Sequence, residues 1–236
     1  MIKSTNKSIA FFSGWRFKAS IWNKTIQSFP HYFTQKIDLP LLKPNQTTLD
    51  MTTILSNQII NPSIIVAWSL GGLFAIHLCH NLPNQIKKLI LVCSLPKFAS
   101  DAHWIGIDSH LINQFRQHAE YGMNDLLLKF QRLVQHPNHS KLHSQYINDH
   151  KTNRSLMFYL NLLFELDYRD QLKTLSIPIH FIFGECDAVI PIQSMKQLES
   201  LNKNIVLHSI PDGTHIPFVT NENKFNQLLS SIFHEF

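Results

Sequence analysis

Short apolar runs alternate with stretches of helical spacing along most of this chain, and that alternation leaves few folds open. Ile9 to Phe12, Ile64 to Trp68, Leu89 to Cys93, His180 to Phe183 and Ile205 to Ile210 read as strands, with Gln35 to Leu39 a weaker sixth. Between them, Ser20 to Phe29, Leu70 to Leu82 and Pro191 to Leu201 carry apolar residues at helical periodicity, and Asn221 to Phe236 closes the sequence as a helix. Continuous apolar strands suit a sheet buried on both faces, which is what helical crossovers between parallel strands produce. The expected class is therefore α/β, a mostly parallel sheet flanked by helices. Pro83 ends the second helix, and Pro191 suits a first helical turn.

The alternation breaks from about Ile105 to Asp170. Leu111 to Val134 and Asn153 to Leu166 show helical spacing without strand signals, and QHPNHS at Gln135 to Ser140 reads as the loop between them. Residues 105–170 are thus expected to form a helical insertion into a core built from residues 1–104 and 171–236. A length of 236 residues with 44% apolar types suits one large domain of this kind.

Composition removes other function classes. No apolar run approaches the roughly 20 residues of a membrane helix, and Ile9 to Phe12 is too short for a secretory h-region. The expectation is a soluble, cytoplasmic protein without membrane partners. Lysine and arginine number 21 against 16 acidic residues, a net charge of +5. These cations are scattered, which suits a solvated surface and offers no nucleic-acid footprint. Cys79, Cys93 and Cys186 each sit in an apolar segment, so reduced, buried thiols are expected. No CxxC or HExxH occurs, and neither a metal nor an organic cofactor is expected.

The sharpest local signal is Ala67-Trp68-Ser69-Leu70-Gly71-Gly72, which ends a strand and opens a helix. A strand that turns abruptly into a helix holds its middle residue in a strained, exposed conformation and needs small neighbours, as in the nucleophile elbow G-x-S-x-G. Here Ala67 stands for the first glycine, and Ser69 is the candidate nucleophile. A serine needs a base and the base an orienting acid, in the chain order Ser, Asp or Glu, His when the fold is an α/β-hydrolase. Asp187 follows the strand in Phe181 to Gly184, and His215 follows the last strand in Ile210-Pro211-Asp212-Gly213-Thr214-His215. Asp187 can also be read as a helix cap before Pro191, and Glu185 and Asp212 are rival acids. An oxyanion hole would take one backbone N–H from Leu70 and another from Trp15, in the loop Phe12-Ser13-Gly14-Trp15-Arg16 after the first strand.

With these residues in view, the chain resembles the pimeloyl-acyl-carrier-protein methyl ester esterases of biotin synthesis. Ala67 to Ile107 carries the likeness most densely, through Trp68-Ser69-Leu70-Gly71-Gly72, a strand ending before Ser94, and Trp104-x-Gly106-Ile107. Phe12-Ser13-Gly14-Trp15 with Trp22, Asp38-Leu39-Pro40, Gly184-x-x-Asp187-x-x-x-Pro191 and His215-x-Pro217-Phe218 extend it. The resemblance implies an α/β-hydrolase fold with a helical cap. It implies a serine carboxylesterase that frees the terminal carboxylate of a pimeloyl thioester on acyl carrier protein, with Ser69 as nucleophile, His215 as base and Asp187 as orienting acid. Trp15 and Leu70 would bind the oxyanion and line the substrate site with Phe115 and Phe130. Lys129 and Arg132 on the cap would face the acidic carrier protein.

The sequence departs from that family at several points. Ser13 replaces a histidine, Asp125 stands where a basic residue is usual, and Leu41-Leu42-Lys43-Pro44 replaces a glycine-rich turn. The usual leading β-hairpin is reduced or missing. These differences touch the substrate mouth more than the catalytic set. A general short-acyl carboxylesterase, or another capped hydrolase acting on a C–C or thioester bond, therefore remains the nearest rival, with a non-catalytic hydrolase-fold binding protein behind it.

Overall fold

The computed structural model describes residues 8–40, 48–60, 63–138, 142, 144–148 and 152–234. Leu41 to Pro44, and Lys141, Asp149 and Lys151 of the insert, lie outside them. Six strands form one sheet: β1 (Ser8–Phe12), β2 (Phe33–Ile37), β3 (Ser63–Trp68), β4 (Ile86–Val92), β5 (Ile179–Gly184) and β6 (Ile205–Ile210). Their order is β2-β1-β3-β4-β5-β6, and every pairing is parallel. The central strands β1, β3 and β5 are buried along their whole length, as their unbroken apolar runs require. The edge strands β2 and β6 are partly exposed.

The chain leaves β1 toward β2 on one side and returns to β3 on the other. The connections therefore diverge between β1 and β3, the place where open α/β sheets form a crevice beyond the strand ends. Phe12 pairs with Ala67, Val92 with Ile182 and Gly184 with Ile210. That register brings the loops after β1, β3, β5 and β6 to one rim.

The helices are α1 (Asn23–Gln27), α2 (Thr48–Ser56), α3 (Leu70–Asn81), α4 (Ser109–Tyr121), α5 (Met123–Leu133), α6 (Asn153–Glu165), α7 (Arg169–Thr174), α8 (Met195–Leu198), α9 (Pro217–Thr220) and α10 (Glu222–His234). Helices α4 to α7 all fall between β4 and β5. The expected single helix from Leu111 to Val134 is two, because Gly122 adopts an extended conformation between α4 and α5. The carboxylate of Asp108 accepts the His110 N–H at 2.7 Å to begin α4, and Thr152 caps α6 through the Ser155 N–H at 3.2 Å. Helix α2 carries a weak sequence signal, since only Met51 and Leu55 of its described side chains are fully buried.

The neck of the insert is pinned by charge. Lys97 and Asp101, just after β4, meet Asp167 and Arg169 at the far end of the insert. Lys97 reaches Asp101 at 2.5 Å, Arg169 reaches Asp167 at 2.6 Å, and the Arg169 guanidinium lies 5.1 Å from the ring centre of Trp104. The Lys97 ammonium holds the Asp101 carboxyl down at about 2.

One expectation needs correction. Cys79 and Cys93 are buried, but Cys186 is exposed, because the chain has already left β5 and entered the turn before Asp187. Lys88, beside the expected start of β4, is 1% exposed and donates to the Ile232 carbonyl. Nearby, the His180 and His208 rings stack with Nδ1 of one 3.0 Å from Nε2 of the other.

Burial, reinforced by the Lys88 and His208 charges, pushes the His180 imidazole down to about 4. An unfolded chain takes up that proton near 6.5, so the folded state loses stability as the pH falls from 6.5 toward 4. His180→Leu should flatten that part of the stability curve by about 1–3 kcal/mol. Denaturant melts of both proteins at pH 7 and pH 4.5 provide the check, and equal slopes would exclude His180 as the titrating group.

Candidate active site

The turn from β3 into α3 has the strain expected of an elbow. Ser69 sits at φ 53 and ψ −126, a region costly for any residue with a Cβ. Its N–H donates to Val92 O at 3.0 Å, and its carbonyl accepts the Gly72 N–H at 2.9 Å and the Ser94 hydroxyl at 2.8 Å. Both glycines are sterically required. A Cβ on Gly72 would lie 2.1 Å from the Ser94 hydroxyl, and one on Gly71 would lie 2.5 Å from Ser13 O. The second contact shows how closely α3 approaches the loop after β1. Ala67 is fully buried inside β3.

The structure brings Ser69, His215 and Asp187 together from three loops. Nε2 of His215 lies 3.0 Å from the Ser69 hydroxyl, and Nδ1 lies 2.8 Å from Oδ2 of Asp187. The side chains of His215 and Asp187 are wholly buried, and Ser69 is 3% exposed. Asp187 also behaves as a cap, for its Oδ1 accepts the N–H groups of Val189 at 2.7 Å and Ile190 at 3.0 Å. The two readings of that residue are compatible, since one oxygen anchors the loop and the other faces the imidazole. The rival acids point elsewhere. Glu185 accepts the Ser209 hydroxyl, and Asp212 is mostly exposed, 3.9 Å from Lys224.

Two further residues hold this arrangement, and the sequence marks them only as parts of the elbow motif and of the strand end, not by these roles. Trp68 donates its indole N–H to the His215 carbonyl at 2.8 Å, and Ser94 braces the elbow as described. No local signal could mark the first, because 147 positions separate the partners.

The loop after β1 lies against the elbow, since a Cβ on Gly14 would touch the Trp68 ring at 2.9 Å. Trp15 is buried in this loop, and Leu70 opens α3 directly after Ser69. Phe130 of α5 meets the Trp15 ring edge-on at 5.0 Å and the Phe17 ring at 6.4 Å. Phe115 is one ring further out, 6.4 Å from Phe130. Lys129 and Arg132 are exposed on α5, and the Lys129 ammonium lies 2.6 Å from Nε2 of His118.

Among the described residues, one cluster has metal-ligand types close enough to share an ion: Cys93, Asp187 and His215. Its donor chemistry does not suit one. Asp187 and His215 are bonded to each other, and burial raises the Cys93 thiol well above its ordinary value, leaving it protonated 3.7 Å from Thr214 O. A serine hydroxyl bonded to an imidazole that is itself bonded to a buried carboxylate can instead become a nucleophile by passing its proton to nitrogen.

Known proteins place this geometry in context. Among curated sequences, the chain is similar to the pimeloyl-[acyl-carrier protein] methyl ester esterase of Wigglesworthia glossinidia brevipalpis, at 28% identity over all of this chain and 97% of that protein. The protein of the same name from Legionella pneumophila (strain Corby) is 29% identical over 92% of this chain and 91% of its own. Among solved structures, an esterase from Exiguobacterium antarcticum superimposes with a TM-score of 0.83 at 16% identity, covering 96% of this chain and 91% of that one. A hydrolase from Oleispira antarctica gives the same TM-score and identity over 98% and 92%. These superpositions establish the α/β-hydrolase fold. Residues 45–223 match the family described as serine aminopeptidase, S33, and the chain belongs to that family of serine hydrolases.

Proposed function

We propose that this protein is a serine carboxylesterase that hydrolyses the methyl ester of a pimeloyl group carried on acyl carrier protein, a step of biotin synthesis in the cytoplasm. The Ser69–His215–Asp187 connection, closed at 3.0 and 2.8 Å, carries the esterase reading. The substrate reading rests on relatives bearing that name over nearly the full chain.

In this mechanism Ser69 attacks the ester carbonyl while His215 takes its proton. Asp187 keeps Nδ1 protonated and stabilises the imidazolium. The tetrahedral oxyanion is received by the N–H groups of Trp15 and Leu70, the latter at the first turn of α3, where the helix dipole favours negative charge. The imidazolium then protonates the departing methanol. Water, activated by the same imidazole, hydrolyses the acyl-enzyme and leaves a free carboxylate on the carrier-bound chain. Phe130 and Phe115 line the acyl path, and α4 to α6 serve as the cap over the core.

Lys129 and Arg132 are proposed to meet the acidic carrier protein. Both are exposed, and between Leu111 and Arg154 the described residues also include Arg116 and Arg154 against Glu120 and Asp125. Lys129→Glu with Arg132→Glu should lower kcat/KM on the carrier-bound ester about tenfold or more. Turnover of free dimethyl pimelate should stay within about twofold, and the deficit should shrink as salt rises. Steady-state kinetics at low and high salt provide the measurement. Equal loss on both esters would remove these residues from the carrier interface, and a parent enzyme indifferent to the carrier would return the protein to the general short-acyl esterases.

A further inference from the structure

The loop proposed to supply an oxyanion donor is stitched to the helical insert on both sides. Residues 14–17 form a tight turn closed by Phe17 N–H to Gly14 O at 3.3 Å, with Trp15 and Arg16 at its centre. Arg16 has φ 70, at the turn position where positive φ favours glycine or asparagine. A strained residue there persists only when its surroundings hold it. They do so through the insert: Asn148 N–H donates to Arg16 O at 2.8 Å, Phe17 bridges Ile147, and Lys18 N–H donates to Tyr146 O at 2.8 Å.

The Trp15 side chain makes the second attachment. Its indole N–H donates to the Leu156 carbonyl of α6 at 2.9 Å, and its ring sits edge-on against Phe130 of α5. The residue is 1% exposed. The backbone N–H proposed as an oxyanion donor and the side chain locked into the insert thus belong to the same residue. Ser69 itself is 3% exposed.

We infer that the Trp15 indole is a positioning residue that couples seating of the helical insert to assembly of the oxyanion hole. This rests on the esterase reading and adds a sequence of events. The insert lifts to admit the ester, its return re-forms the Trp15–Leu156 bond and the 146–148 pairing, and only then is the Trp15 N–H in place. Chemistry is thereby confined to the closed state, in which water competes least for the oxyanion donors.

The test is Trp15→Phe, which keeps the backbone N–H and an aromatic ring but loses the indole donor. Three readings are taken on parent and variant: kcat and KM for a soluble ester, the rate of Ser69 labelling by a fluorophosphonate, and amide hydrogen exchange over residues 153–165. The expected result is kcat and labelling rate both lowered about 10- to 50-fold, KM within about threefold, and faster exchange in α6. Phe130→Leu, which keeps the indole donor but loosens its seat, should move all three in the same direction by less, and it decides the matter if Trp15→Phe does not fold.

Faster exchange in α6 with kcat and labelling within about twofold of the parent would overturn the coupling. So would a loss of both rates with α6 exchange unchanged. A parent protein that fails to label at Ser69 would instead overturn the esterase reading, and this inference with it.

Discussion

Ser69→Ala is expected to lower kcat for ester hydrolysis by about 10,000- to 1,000,000-fold while leaving the protein folded. The hydroxyl is the atom that would form the new bond, and no other described side chain replaces it 3.0 Å from Nε2 of His215. The architecture around it does not depend on that oxygen. Backbone bonds from Ser69 to Val92 and Gly72, and the Ser94 hydroxyl on the Ser69 carbonyl, survive the substitution. Alanine also tolerates the strained φ no worse than serine. A melting temperature within a few degrees of the parent, with turnover lost, is the expected pair of readings. Turnover near the parent level in a folded variant would identify a different nucleophile.

The second large effect concerns the other two members. His215→Ala should cost about as much as Ser69→Ala, because base and nucleophile act as a unit, and the double variant should be little worse than either single one. Asp187→Asn should cost less, about 1,000- to 10,000-fold. The asparagine oxygen can still accept the Val189 and Ile190 N–H groups and preserve the loop. Its amide, however, would present hydrogens to Nδ1 and favour the wrong imidazole tautomer. The check is kcat for the three single variants and the Ser69–His215 double variant on one ester. An Asp187→Asn loss equal to that of His215→Ala would mean the carboxylate does more than orient and stabilise the ring.

The parts of this molecule legible in sequence are those set by local chemistry. Apolar runs marked β1, β3, β4 and β5 because strands buried on both faces are mostly apolar, and the edge strand β6 still opens on Ile205-Val206-Leu207. The edge strand β2 was placed two positions late, since Thr34, Gln35 and Lys36 give no run to read. Gly71 and Gly72 announced the elbow because a Cβ there would collide with the Ser13 carbonyl or with the Ser94 side chain. Asp187 and His215 were visible from their places just beyond strand ends. The supports around them were not. Trp68 holding His215, Trp15 reaching Leu156, and Arg169 over Trp104 all join positions far apart in sequence, and nothing near either partner signals the other. The break at Gly122 was also missed, because apolar spacing continues through it from Ile112 to Leu126.

The most direct measurement is methanol release from pimeloyl-acyl-carrier-protein methyl ester by the parent and by Ser69→Ala, with free dimethyl pimelate alongside. The expected result is rapid release from the carrier-bound ester by the parent, slower release from the free diester, and neither from the variant. Carrier-bound ester left intact by a folded parent, or cleaved equally well without Ser69, would contradict the proposed function.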